Sequence, residues 1–280
     1  MKVLGRLTFV SVAVLLLSGT AVFAADEENP FERGSKDIFS VSAGAFLMDF
    51  DSSAELDPEA GGEGSNVDLE NDLGLDASTS RARIDAYWRF ARKHRLDFGG
   101  YIFNRHNERE LDRRIHFGDT VYDVGARVET RFNTSVYKLS YRYSFIRSER
   151  VEIGASIGIS AITSRLRIEG EGSVNGSGDS FEETSKRIIA PIPVLGVAAE
   201  LKIVKSLFAR VSGEYFHIDV SGVDGRFSDA RLSLDWYPFK HFGFGAGYNR
   251  VGIGAEDTDD DNYKLEYSYD GLLAYATYVF

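Results

Sequence analysis

Cysteine is absent from the chain, so no disulfide staples the fold and no thiolate is available for catalysis, metal ligation or lipid attachment. Methionine (2) and proline (5) are scarce. Nothing after residue 24 approaches the ~20 consecutive apolar residues that a transmembrane helix requires. If the rest of the chain crosses a bilayer it must do so with strands, because lipid satisfies no exposed backbone group. Base is in deficit too: 32 Lys and Arg against 43 Asp and Glu give a net charge of −11, which disfavours nucleic acid as a partner. The sequence calls for no cofactor.

What is abundant points to strands. Glycine (28), phenylalanine (20) and tyrosine (14) suit tight sheets and aromatic interfacial belts. The N-terminus carries Lys2 and Arg6, the apolar run from Leu7 to Leu17, and small residues up to Ala24. That pattern predicts a cleaved signal peptide over 1–24 and export, with the remainder two units more negative than the whole. A short segment, 25–37, precedes the first strand.

Strict alternation over about ten residues is the signature of a strand with lipid on one side and a lumen on the other. Ala82, Ile84, Ala86, Trp88 and Phe90 alternate with Arg81, Arg83, Asp85, Tyr87 and Arg89. Ile153, Ala155, Ile157, Ile159 and Ala161 alternate with Glu152, Gly154, Ser156, Gly158 and Ser160. The pattern predicts strands at 38–51, 79–91, 95–106, 120–146, 150–167, 187–203, 206–220, 225–238, 241–255 and 263–280. Short connections alternate with long acidic or glycine-rich ones (52–78, 106–120, 167–186), the turn-and-loop asymmetry of an outer-membrane barrel. The expected architecture is all-β: a monomeric, antiparallel, up-and-down transmembrane β-barrel over 38–280, of about ten strands (8–12), with both termini on the short-turn side. The fourth strand exceeds the ~9–11 residues that cross a bilayer, so part of it projects or is loop.

In the last strand Leu272, Ala274, Ala276, Tyr278 and Phe280 share one face and the chain ends on an aromatic residue. This resembles the C-terminal targeting strand of Gram-negative outer-membrane proteins. The resemblance implies the cell outer membrane as destination, handling by periplasmic chaperones and the barrel-assembly machinery, and contact with outer-membrane lipid and lipopolysaccharide. The stretch 67–76, together with Arg83 to Phe90, His94 to Phe98, Tyr141 to Phe145 and Pro191 to Gly196, is similar to a group of poorly characterised small outer-membrane barrels, which brings no activity with it.

The inward parity collects charges of both signs. Strands two and three offer Arg81, Arg83, Asp85, Arg89 and Asp97; strands four and five offer Lys138, Arg142 and Glu152. Strands six to eight offer Glu200, Lys202, Arg210, Glu214, Arg231 and Asp235. Buried charges need partners, and an interior of about eight strands holds little more than its own side chains. The expectation is a charge network that occludes the lumen, giving a structural or surface-interaction protein. The rivals are a narrow channel for small polar solutes or ions and an envelope enzyme at the rim. Omptin proteases, ten-stranded barrels with aspartates and a histidine at the rim, make His217, Asp219, Asp49 and Asp51 catalytic candidates, although alternation turns His217 and Asp219 outward. A lipid A-modifying enzyme would need a serine beside a histidine. Asp257, Asp259 and Asp261 begin like a calcium loop, but Asn262 and Ser268 break the pattern, leaving a solvated acidic tip. The acid-rich, base-free loop 52–78 reads in the same way.

Overall fold

The computed structural model describes residues 38–58, 64–174, 177–220, 223–257 and 263–280. The expected signal peptide (1–24) and the segment 25–37 lie outside them, as do Asp259 and Asp261. The described residues contain no helix. Among the described residues there are thirteen strands, in chain order β1 (Phe39–Leu56), β2 (Val67–Asp68), β3 (Ser78–Ala91), β4 (His94–Glu110), β5 (Ile115–Phe117), β6 (Thr120–Tyr122), β7 (Arg127–Arg147), β8 (Val151–Val174), β9 (Ser177–Val204), β10 (Leu207–Val220), β11 (Val223–Trp236), β12 (Phe242–Asp257) and β13 (Tyr263–Val279).

Ten of these close a ring. Going round it, β1 pairs with β3, then follow β4, β7, β8, β9, β10, β11, β12 and β13, which returns to β1; every pairing is antiparallel. The closing seam runs from Ser40↔Val279 to Leu56↔Tyr263. No edge is left open along it, as a membrane interior demands.

Side chains sort by the pleat. Leu47, Ile84, Leu139, Ile157, Leu195, Leu232 and Leu272 point outward from seven strands and are each about half exposed or more. Such a continuous apolar surface is not sustained in water and fits a bilayer core. At the turn end the belt finishes in aromatic rings, including Trp88, Phe90, Phe145, Trp236, Phe244, Tyr278 and Phe280, the headgroup-level girdle of transmembrane barrels. On β8 the outward series is apolar from Ala155 to Ala161, and then becomes Thr163, Arg165, Arg167 and Glu169. The far end of β8 therefore stands clear of the membrane. Segment 167–186, expected as a loop, is instead the extension of this hairpin: β8 and β9 stay paired to Gly172↔Ser180 and, past an irregularity, Val174↔Ser177. Its glycines and polar residues hide it from an alternation test that looks for apolar partners. Segment 120–126, expected as strand, holds β6 and a turn with Gly125 at φ +83°.

The seam between β1 and β13 is tight at Gly271, where an added Cβ would run into the Leu47 carbonyl. Gly271→Ala should lower the unfolding free energy of the reconstituted barrel by about 1–3 kcal/mol, the usual cost of overpacking. Urea unfolding in lipid vesicles reads it, and an unchanged midpoint would mean that the seam is looser than this.

A cap closes the loop end. Asp68 opens a turn by accepting the Glu70 and Asn71 amides (3.0 and 2.7 Å), and Val67, Leu69, Leu73 and Leu75 fold inward to full burial with Leu111, Ile115, Phe117 and Tyr122. The reading of 52–78 as a solvated acidic loop is corrected here. Two of its acids find arginines beyond the segment: Glu70 pairs with Arg105, and Asp72 with Arg113 at 2.5 Å. With that charge neutralised, four apolar side chains can pack.

Candidate functional site

The lumen has two unlike halves. Toward the cap it is aromatic. Phe46, Tyr101, Phe103, Phe132, Tyr267 and Tyr269, from β1, β4, β7 and β13, are buried and pack ring against ring, with Phe103 to Tyr269 at 5.6 Å and Phe132 to Tyr267 at 5.6 Å. The Tyr101 and Tyr269 hydroxyls hydrogen-bond across the barrel. These aromatics were not assigned to the lumen from sequence, because phenyl and phenol rings read equally well as a membrane belt, so the plug they form was not foreseen.

Toward the turns the lumen is charged. Lys138 on β7 reaches Asp229 on β11 at 2.6 Å and Glu214 on β10 at 2.5 Å. Asp229 also accepts from Asn249 (2.7 Å), whose oxygen accepts from Arg83 (2.6 Å). Arg83 holds Asp85, which Arg231 reaches from β11 at 3.0 Å. Arg210 donates to Glu200 (2.6 Å) and sits 2.9 Å from Asp235, which also accepts from Tyr275 (2.8 Å). At the turn end Arg89 donates to Glu152 (2.9 Å), with Arg147 3.5 Å away, while Arg95 and Arg142 both face Asp97 at 2.9 and 3.1 Å. The barrel wall is thus cross-tied by ion pairs between strands that are not neighbours.

Two of the lumen charges named from sequence lie at the margins of this network. Arg81 donates to the backbone oxygens of Ser80 and Asn104 and reaches no carboxylate, because β3 and β4 cease to pair beyond Arg83↔Tyr101. Lys202 sits at the mouth, beside the β9–β10 turn, and is partly exposed. Sequence reasoning omitted Asp229 and Arg95, which share parity with Arg231 and Asp97 and could have been read. Arg147 could not: a bulge between Ser144 and Ile146 turns Phe145 and Ile146 both outward and swings Arg147 in, to 8% exposure, reversing strict alternation.

The catalytic candidates are not brought together. Asp49 and Asp51 are exposed on the outer wall of β1. His217 is exposed on β10 and meets Asp224 (3.1 Å), which also holds Arg226. Asp219 is likewise exposed. Three strands separate β10 from β1, some ~19 Å around the wall at ~4.8 Å per step. No histidine ring is hydrogen-bonded to a serine among the described residues: His94 meets the Tyr141 hydroxyl and His241 the Val279 carbonyl. Among the described residues no group of three or more His, Asp or Glu could hold a metal. Asp257 ends β12, and the rest of its acidic loop, with Asp259 and Asp261, lies outside the described residues. Leu272, Ala274, Ala276, Tyr278 and Phe280 share the outer face of β13, with Leu272, Tyr278 and Phe280 well exposed.

In the cap, the hydrogen bond from Arg113 holds the Asp72 carboxyl below the ordinary 3.8. Its stabilisation is complete above that ordinary value and is lost as pH falls through the lowered one. Protease resistance of the cap should therefore fall on acidification, and Asp72→Asn should be less resistant at neutral pH with a flatter acid profile. An identical profile in the variant would remove Asp72 from the account.

Comparison with known proteins agrees on the fold. The outer membrane protease OmpT from Escherichia coli superposes with a TM-score of 0.54 over 87% of this chain and 97% of its own, at 11% identity. A Pseudomonas aeruginosa FadL homologue (TM-score 0.39, 8% identity, 89% of this chain and 92% of its own) and the Yersinia pestis attachment invasion protein Ail (0.32, 11%, 87% and 99%) match more loosely. No protein-family model and no curated sequence matches the chain. The fold is that of the Gram-negative outer-membrane β-barrel proteins, in its ten-stranded form.

Proposed function

We propose that the protein is a resident of the outer membrane with a structural or surface-interaction role, presenting its cap and projecting hairpins outward over a sealed lumen. The observation that carries this reading is the double closure of the loop end, by buried aromatic rings across the lumen and by an apolar cap above them. Lipopolysaccharide and phospholipid would surround the apolar belt, and the final strand, ending at Phe280, would be what the assembly machinery reads. Among the described residues, a protease or lipid-modifying role finds no converging acid, base or nucleophile at the rim.

The absence of cysteine makes the arrangement testable in cells. Asp112, in the cap, has an 86% exposed side chain, and Lys240 is exposed in a short turn. Asp112→Cys should react with a membrane-impermeant maleimide on intact cells, whereas Lys240→Cys should react only after permeabilisation. The reverse pattern would invert the orientation, and labelling of neither variant on intact cells would place the protein elsewhere.

A further inference from the structure

We propose that the charged half of the lumen is a binding site for a small free oxyanion of the phosphate class, entering from the short-turn end. Four guanidinium groups, those of Arg89, Arg95, Arg142 and Arg147, share only two carboxylates there, Glu152 and Asp97. Two positive charges are left over on the wall formed by β3, β4, β7 and β8, in a chain that is strongly acidic as a whole. One surplus charge falls to each carboxylate, and of the two arginine pairs it is Arg95 and Arg142 that face the lumen cavity. Arg95 and Arg142 converge on the single Asp97, and neither Nε makes a hydrogen bond of good geometry. By contrast, the ion pairs deeper in the lumen are close to balanced: Lys138 has two acids, and Arg210 has Glu200 and Asp235.

Arg95 and Arg142 line a cavity of about 180 Å³, many times the ~10–15 Å³ that admits one water; six cationic and six acidic side chains face it, so the cationic surplus is local to the wall that carries these two arginines. The two arginine side chains remain 12% and 20% exposed, and the aromatic layer blocks the other end, so solvent reaches them from the turns. Uncompensated charge in such a site is costly. A tetrahedral dianion would satisfy it, because the planar fork of arginine matches phosphate oxygens bidentately. Arg95 is held for this by stacking 4.6 Å over the Tyr87 ring. Asp97 is then a competitor of the ligand, holding the two guanidiniums while the site is empty.

The test is calorimetric titration of the refolded barrel in uncharged detergent with inorganic phosphate, against chloride at equal ionic strength. Saturable binding is expected with phosphate alone. Arg95→Gln and Arg142→Gln should each weaken it about tenfold, the loss of one charge-assisted contact, and Asp97→Asn should tighten it. The Asp97 variant guards against a trivial failure, since a merely disrupted barrel would not bind better. Absence of saturation beyond chloride, retention of affinity when both arginines are replaced, or weaker binding in Asp97→Asn overturns the proposal. It stands or falls independently of where the barrel resides and of whether it conducts.

Discussion

Lys138→Met should destabilise the folded barrel by about 3–5 kcal/mol, the cost of leaving a buried charge uncompensated. Lys138 is the only cation within ion-pair distance of Glu214 and Asp229 among the described residues, at 2.5 and 2.6 Å, and Asp229 is only 8% exposed. Removing the ammonium strands two carboxylates side by side in a narrow lumen. The expected result is a large drop in the denaturant midpoint of the barrel in lipid vesicles, with heat-modifiable migration lost at a lower temperature. Combining Lys138→Met with Glu214→Gln and Asp229→Asn should restore most of the loss, since a whole ion cluster exchanged for neutral groups is often close to neutral. If the single variant is as stable as the parent, the network is decoration.

The second large effect is expected at the cap. The Arg105 side chain is 1% exposed, pairs with Glu70, donates to the Ser52 hydroxyl (3.1 Å) and lies 4.4 Å over the Phe50 ring. It ties the strand wall to the loop that covers it. Arg105→Ala removes these contacts together and leaves Glu70 facing an apolar interior, again about 3–5 kcal/mol. Here the loss should be local. Limited proteolysis should cut within 64–77, and the ten-stranded barrel beneath should persist, because its own hydrogen-bonded ring is untouched. Glu70→Gln should show a milder form of the same release. Global unfolding without prior cap cleavage would mean that cap and barrel form one cooperative unit.

The barrel was legible because its information is local. Outward Ile153 to Ala161 and inward Glu152 to Ser160 declare both faces within one strand, and each long strand lies beside a chain neighbour. The charges of the lumen were legible for the same reason, by parity. Their partners were not, because Lys138 and Asp229 or Arg89 and Glu152 meet across the barrel, where register and tilt decide who faces whom. The bulge at Ser144 to Ile146 reverses parity with no sequence mark that separates it from the belt. The cap escaped because acid content masked Val67, Leu69, Leu73 and Leu75, whose burial depends on Arg105 and Arg113 from distant positions. The aromatic plug escaped because a ring signals burial without saying whether in lipid or in lumen.

Whether the lumen is sealed is read by single-channel recording of the refolded barrel in planar bilayers. With the lumen closed by the aromatic layer and the cap, the membrane should stay electrically silent at both low and high salt while containing folded, heat-modifiable protein. Discrete conductance steps that grow with salt concentration would contradict that closure and make the charged vestibule the mouth of a continuous pore.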